Sequence, residues 1–193
     1  IKMSGGIEAG SNAITTNESL PIVSLSNVVT DKKCFGVISA SEDPETREEI
    51  YGNFGSVFEK EKGDTRVYIN SVGEGAIWVS NISGNLEAGD YITTSNVAGY
   101  GQKQEGAGLM NYTVAKITMD CDFEPATQPV QVIRKDDNGE NVLDEHGQIQ
   151  WEDDPMETEK AYKIRYLDAS GVETDEANTV HTAAFVGCTY HCG

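Results

Sequence analysis

Cysteine and histidine side chains cluster at the end of the chain, where their spacing suggests a possible metal site. Cys188, His191 and Cys192 lie within five residues of one another, and His181 lies upstream. Thiolate and imidazole groups at such spacing are ligands that zinc prefers. A structural zinc site needs two separated ligand pairs, so one of the two earlier cysteines would have to complete it through the fold. Ordinary cysteines in a terminal strand explain the pattern better, and we expect no metal site and no cofactor-binding site.

The four cysteines, Cys34, Cys121, Cys188 and Cys192, leave the redox state of the chain open. They permit three pairings, and the sequence does not choose among them. A chain of 193 residues does not need disulfides to fold, so thiols are the favoured interpretation and at least one bridge is the alternative. A Cys-His nucleophilic dyad is conceivable, but no cysteine lies in a recognisable nucleophile motif. No catalytic residue can therefore be assigned.

Acidic side chains are so frequent that no pair stands out as a general acid and base. Six of them lie close together in the first third of the chain: Glu42, Asp43, Glu45, Glu59, Glu61 and Asp64. Residues 136–141 resemble part of a calcium loop, but the regular ligand spacing and the terminal Glu are missing, which predicts a hairpin turn. Residues 73–75, Gly-Glu-Gly, lack the helix and Lys of a phosphate-binding loop, and they too predict a turn.

Composition excludes several classes of partner. Thirty-two acidic residues against fourteen basic ones give a net charge of −18, which repels nucleic acid and anionic lipid headgroups. No apolar stretch approaches the length of a membrane span. We therefore expect no nucleic-acid partner and no membrane partner. The length suits one β domain, with or without a smaller appended lobe.

The elements that would position these groups are mostly strands. Residues 1–20 are rich in Gly, Ser, Asn and Thr and predict a linker or extended arm. Residues 34–39 predict a short buried strand, and residues 42–49 contain the best candidate for a helix. Residues 65–72 and 76–80 predict two strands around the turn at 73–75. Turn residues then recur about every ten positions between β-branched runs, as in a small sandwich or barrel.

The second half of the chain predicts long hairpins. Strands at 130–133 and 148–151 bracket two turns, and a second hairpin follows at 161–171. Such polar hairpins bury little, so they should project from the core or pair with a neighbouring subunit. Residues 180–188 are apolar enough to return to the core as a last strand. We therefore predict an all-β fold, a compact sandwich or barrel-like core at 21–124 with a hairpin-rich extension at 125–193.

Four aromatic residues could form a receptor-binding or glycan-binding surface if they are exposed: Trp78, Tyr91, Tyr100 and Trp151. Trp78 lies within an apolar strand run, which favours a place in the core instead.

Three segments together resemble a known family. The run 72–79, VGEGAIWV, is followed by 84–95, GNLEAGDYITTS, and by 97–101, VAGYG. Residues 35–40, FGVISA, resemble a strand that precedes this block. Over residues 34–120 the chain is similar to the intramolecular chaperone, or peptidase G2, autocleavage domain, found at the C-termini of phage and large-virus fibres, tailspikes and neck appendages.

The resemblance implies a virion protein domain that helps an elongated, usually trimeric, protein to assemble. A compact end domain lowers the entropic cost of aligning three chains. We therefore expect a homo-oligomer, a trimer, with other virion proteins as partners and the virion as its location. The acidic-aromatic segment expected before a self-cleaving domain is missing, since residues 1–33 contain only Glu8, Glu18 and Asp31 as acids. A lasting structural domain is the first expectation, and a self-cleaving chaperone that is then released is the alternative.

Overall fold

The computed structural model describes residues 2–7, 21–41, 48–51, 56–59 and 67–192. Nearly all regular structure within them is strand, which confirms the predicted all-β fold. No helix in this described part of the chain has the length and apolar character needed to cross a membrane. The elements are β1 (Lys2–Ile7), β2 (Pro21–Ser24), β3 (Val37–Ser41), β4 (Glu48–Tyr51), β5 (Ser56–Glu59), β6 (Val67–Asn70), β7 (Val72–Ser80), a 3-10 helix (Asn81–Ser83), β8 (Tyr91–Thr94), β9 (Gly101–Lys103), β10 (Thr113–Ile117), β11 (Thr127–Ile133), β12 (Trp151–Lys160), β13 (Ile164–Leu167), β14 (Glu173–Thr174), a 3-10 helix (Glu176–Asn178) and β15 (His181–His191).

Five strands pair in a closed ring and form a small barrel-like core. β7 pairs with β15, β15 with β10, β10 with β8, and β8 with β9, all antiparallel. β9 returns to β7 through one parallel pair, Val79 opposite Gly101. Closure removes most unpaired strand edges from the core, because each strand has a partner on both sides. The β7–β9 contact is the shortest ladder of the ring.

β15 is the strand on which this core is built. It pairs with β7 over residues 183–191, while on its other side β13 pairs with its first half and β10 with its second half. Ala184, Val186, Cys188 and Tyr190 are buried, and the residues between them are less so. This alternation is what a strand with one face toward a core requires. β13 and β14 extend the same sheet beyond the ring.

The barrel interior is filled by side chains from all but one of the ring strands. β9 is the exception, and its Gly101 lies where β9 meets β7. A Cβ on Gly101 would lie 2.5 Å from Ile92 Cγ2. The glycine thus leaves the space that the Ile92 side chain occupies. The largest buried aliphatic side chains of the ring are Ile77, Val79, Ile92, Val114, Ile117 and Val186.

The Gly-Glu-Gly segment is not a turn, and this prediction was wrong. Residues 73–75 lie within β7, opposite residues 188–190 of β15. β6 pairs with β3 instead of with β7. Gly75 is needed for space at this position, because a Cβ there would lie 2.4 Å from Tyr190 Oη. A glycine that makes room for a ring resembles, in sequence alone, a glycine that reverses the chain.

Two other local predictions differ from the structure. The strand expected at residues 34–39 begins later, as β3, and it is mostly exposed because its partner β6 is its single neighbour among the described strands. Of the helix expected at 42–49, Glu48 and Glu49 belong to β4, which pairs with β5, and the rest lies outside the described residues. The hairpin expected at 161–171 is β13 with its turn, and it pairs with β15 instead of projecting.

Residues 127–160 form a separate ribbon, β11 paired with β12. Its base is closed by a hydrogen bond from Ala161 N–H to the Ala126 carbonyl, at 2.9 Å. At its far end the ribbon branches into two short hairpins, marked by the bridges Lys135–Asn141 and Leu143–Ile149. The branch point is a cycle of three backbone hydrogen bonds, from Arg134 to Gln150, from Gln150 to Val142 and from Val142 to Arg134, each 2.9 to 3.0 Å.

Candidate functional site

A cavity of about 360 Å³ lies between residues 25–39 and the barrel. It borders the seam at which β7 and β9 share a single pair, so the ring is weakest where the cavity meets it. The rim is aromatic and the floor belongs to the core. The rim includes Trp78, Tyr100 and Phe185, and the floor includes Cys34, Val114 and Tyr190.

The aromatic rim is built on the outer face of β7 and β15. Trp78 lies directly opposite Phe185 in the register, and their ring centroids are 5.2 Å apart. The guanidinium of Arg165 stacks over the Trp78 ring at 4.2 Å and donates a hydrogen bond to Tyr100 Oη at 3.4 Å. A guanidinium over an indole is a favourable cation–π arrangement. Arg165 therefore already covers one face of Trp78.

Trp78 lies outside the barrel interior but packs against a second buried apolar cluster, so the prediction of a core position holds in part. Its neighbours Ile77 and Val79 are buried in the barrel, and alternation along β7 turns Trp78 outward, where it is half-buried. Of the other proposed stacking residues, Tyr100 joins Trp78 at the rim. Tyr91 lies instead beside His191, with ring centroids 6.5 Å apart, and Trp151 lies exposed on the ribbon. The structure thus brings together two of the four.

Residues 25–34 are fastened over the cavity by a buried polar network. Ser26 Oγ donates to Asp31 Oδ2 at 3.0 Å, and Asp31 N–H donates to Thr94 Oγ1 at 2.8 Å. Thr94 Oγ1 in turn donates to the Val28 carbonyl at 2.7 Å. Buried polar groups satisfied in this way fix a segment in one position. The segment is therefore part of the cavity wall and holds Cys34 against the barrel.

Two thiols meet beside the cavity, and one of them, Cys34, lines it. Cys34 and Cys192 are both buried, belong to the same apolar cluster and share a hydrogen bond. This hydrogen bond lowers the pKa of Cys34, against the opposing effect of burial, and raises the pKa of Cys192. Cys192 Sγ also donates to the Val114 carbonyl at 3.3 Å. Among the described residues the cysteines are all thiols.

The zinc ligands considered from the sequence are divided by the alternation of β15. Cys188 and Cys192 are buried, and burial raises the pKa of Cys188 to about 11. His191 lies between them in register on the other face, where its Nε2 is 3.0 Å from Thr189 Oγ1. His181 begins the same long strand, at the far end from His191. In the part of the chain that is described, no group of three such side chains could hold a metal ion.

Cys121 lies in a second, acidic groove of about 480 Å³ between residues 85–87 and the base of the ribbon. Tyr162 Oη donates to Asp122 Oδ1 at 2.5 Å. This hydrogen bond lowers the pKa of Asp122, while burial together with the same carboxylate raises the pKa of Tyr162. Desolvation raises the pKa of Cys121. The groove carries Glu87, Asp120, Asp122 and Glu124 on its walls.

The calcium-like segment is a hairpin turn, as expected. Asp136 Oδ1 accepts hydrogen bonds from the backbone N–H groups of Asn138 and Glu140, both at 2.9 Å. Gly139 takes a φ of 83°, which the turn requires. Of the six clustered acids, Glu59 lies in β5, and the others lie outside the described residues.

Arg165 and Phe185 are the site residues that the sequence analysis missed. Arg165 lies opposite Ala183 on β15, and Phe185 lies two positions further, so both occupy the outer face. The outward position of Phe185 follows from the alternation of its strand, but its approach to Arg165 depends on the register between strands distant in sequence.

Comparison of the chain with protein-family models, with curated proteins and with solved structures found no match.

Proposed function

We propose that this chain is a structural domain of a virion protein, a fibre, tail or capsid-surface component, and that it supports assembly of a homotrimer. The resemblance of residues 34–120 to intramolecular chaperone domains supports the virion assignment. The structural observation that carries the assembly role is the β11–β12 ribbon. It extends 34 residues of chain away from the barrel ladder and buries none of them.

The ribbon exposes several large apolar side chains to solvent in the single chain. Its exposed large apolar side chains are Leu143, Ile149, Trp151 and Met156, the last with 88% of its surface accessible. A two-stranded ribbon alone in water is marginally stable at best, and it gains stability when a face packs against another surface. A second subunit would supply that surface.

Charge distinguishes between two modes of assembly. Residues 127–160 contain ten acidic and three basic residues, a net charge of −7. Two ribbons packed on each other would bring like charges together, which disfavours a twofold contact between identical ribbons. A contact of one ribbon with a different surface of the next subunit is heterologous, and such contacts form a ring when the rotation between subunits closes. A ring of three is the simplest arrangement consistent with the resemblance.

Excision of the ribbon tests this proposal. Because Ala126 and Ala161 are hydrogen-bonded neighbours, residues 127–160 can be replaced by Asn-Gly, which favours a tight hairpin turn. We expect native mass spectrometry to give a trimer for the intact chain and a monomer for the variant, with the β circular-dichroism spectrum retained. A monomeric intact chain, or a variant that stays trimeric, would refute the assembly role.

A matched pair of substitutions separates the ribbon surface from exposure alone. Trp151→Ser on the ribbon should weaken the trimer at least about tenfold, as loss of a buried aromatic anchor does. Val172→Ser changes a side chain of similar exposure outside the ribbon, and it should leave the trimer unchanged. Equal effects of the two substitutions would contradict the proposal. Time-dependent cleavage of a longer precursor upstream of Ile1 would favour the self-cleaving alternative.

A further inference from the structure

Cys34 and Cys192 lie 158 positions apart in the chain, and within the buried cluster that contains all four cysteines these two share a hydrogen bond. We propose that these two cysteines form a disulfide when the protein meets a disulfide oxidant, and that the bond fastens residues 25–39 to the end of β15. Cys121 and Cys188 remain thiols. This inference is independent of the oligomeric state of the protein.

The backbone on both sides of the pair is already held in place by one residue. Cys192 N–H donates to the Ser71 carbonyl at 3.0 Å. Ser71 Oγ donates to the carbonyl of Phe35, the residue after Cys34, at 2.6 Å. Ser71 therefore links the backbone of Cys192 to the residue next to Cys34, which holds the two cysteine segments side by side. Disulfides form only between cysteines whose backbones are held close together.

The other two cysteines are differently placed. Cys121 pairs with Leu86 in an isolated bridge and borders the acidic groove. Cys188 belongs to β15 inside the barrel, opposite Gly75 on one side and Ile117 on the other. Of the four cysteines, Cys34 is the one that lines the 360 Å³ cavity, through which an oxidant can approach. Access thus selects Cys34 as the first cysteine to react, and its hydrogen bond with Cys192 selects the partner.

The reaction is thiol–disulfide exchange with oxidised glutathione or a similar small disulfide. The Cys34 thiolate attacks one glutathione sulfur, which forms a mixed disulfide and releases one glutathione thiolate. The Cys192 thiol loses its proton to solvent and attacks the Cys34 sulfur, which releases the second glutathione. Two protein thiols are oxidised and one glutathione disulfide is reduced. The hydrogen bond that lowers the pKa of Cys34 favours this residue as the first nucleophile.

Thiol counting and peptide mapping test the inference on the unmodified chain. After oxidation by glutathione disulfide and denaturation, the number of alkylatable thiols should fall from four to two. A peptide map without reductant should then contain a single crosslink, Cys34 to Cys192. Four remaining thiols, or a crosslink that includes Cys121 or Cys188, would overturn the inference. This measurement requires no variant and so does not depend on a variant folding.

Variants and stability provide the second line of evidence. Cys34→Ala and Cys192→Ala should each abolish the crosslink, whereas Cys121→Ala and Cys188→Ala should retain it. Since the bond closes a long loop, oxidation should raise the unfolding temperature of the intact chain by roughly 5 to 15 °C. The same oxidant should leave the unfolding temperature of Cys192→Ala unchanged. A rise that persists in Cys192→Ala would overturn the inference.

Discussion

Tyr190 stabilises β7 at the point where this strand contains two glycines. Its side chain is 5% exposed, its hydroxyl donates to the Ala76 carbonyl at 2.8 Å, and the Ala76 N–H donates back at 3.1 Å. These two bonds join the side chain of β15 to the backbone of β7. Gly75 leaves the space that the ring occupies. The φ of Gly75 is one that other residues can adopt, so glycine is required here for space and not for its backbone conformation.

Gly75→Ala should lower the free energy of unfolding by about 1 to 3 kcal/mol, as overpacking of a filled core does. The added Cβ would lie 2.4 Å from Tyr190 Oη and 2.8 Å from a ring carbon, so the ring must move or the strand must shift. Urea denaturation followed by circular dichroism measures the change.

Gly108→Ala is the matched control for this prediction. A Cβ there would meet only Met110 Sδ, at 3.9 Å, which is an ordinary contact. We expect a change within about 0.5 kcal/mol. Equal destabilisation by both substitutions would show that the tight packing at Gly75 is not the cause.

At the scale of the element, one turn recurs three times in the second half of the chain. Asp136, Asp144 and Asp168 each accept two backbone hydrogen bonds through one carboxylate oxygen, from residues two and four positions later. Each is followed three residues later by a glycine with a φ between 77° and 83°. An aspartate that caps the turn and a glycine that accepts positive φ are residues such turns favour. The sequence pattern Asp-x-x-Gly thus predicts all three.

Protonation of Asp136 should weaken the first of the two ribbon-tip hairpins. The N–H groups of Glu140 and Asn138 lower the pKa of this carboxyl below its ordinary 3.8. Because the folded-state pKa is lowered, the stabilisation is fully present above the unfolded value and is lost as pH falls through the folded value. The amide proton shifts of Asn138 and Glu140, followed by NMR, should therefore titrate with an apparent pKa below 3.8.

Asp136→Asn provides the control for this titration. The amide oxygen of Asn can still accept the two hydrogen bonds, but it carries no proton that titrates. The shifts of the same two amides should then be flat over the acidic range. A titration that persists in this variant, or a wild-type apparent pKa above 3.8, would contradict the assignment.

At the scale of the whole molecule, a compact barrel and an exposed ribbon share a large negative charge. Net charge far from zero opposes the compact state through self-repulsion, and salt screens that repulsion. The chain carries −18, of which −7 lies in residues 127–160. The few ion pairs among the described side chains, such as Lys103 with Asp90 at 2.7 Å, do not neutralise the excess.

Raising NaCl from about 20 mM to about 300 mM should therefore raise the unfolding temperature, by roughly 2 to 5 °C. Differential scanning calorimetry measures this rise. The variant without the ribbon carries a net charge of −11, since ten acidic and three basic residues are removed, and its rise should be smaller. An unfolding temperature that is independent of salt, or that falls with salt, would exclude self-repulsion as a significant term.

Most strands could be predicted from local pattern, whereas their partners could not. β8 and β10 follow from their β-branched runs, and the turns at 136–140 and 144–148 follow from Asp and Gly. The register of β15 could not be predicted, because β15 pairs with β7, β10 and β13, which lie far apart in the chain. A register depends on which buried faces fit together, and that is a property of the packed core.

The amino-acid sequence by itself determined the class of fold, the Asp-x-x-Gly turns and the net charge, because these depend on composition and on neighbours along the chain. Tertiary structure alone decided which of the four cysteines meet and which face of β7 carries Trp78. It also decided that Gly75 leaves space for the Tyr190 side chain. Each of these depends on contacts between residues more than sixty positions apart, such as Ala76 with Tyr190 and Arg165 with Tyr100. Local propensity carries no information on such contacts, since closure of the barrel creates them.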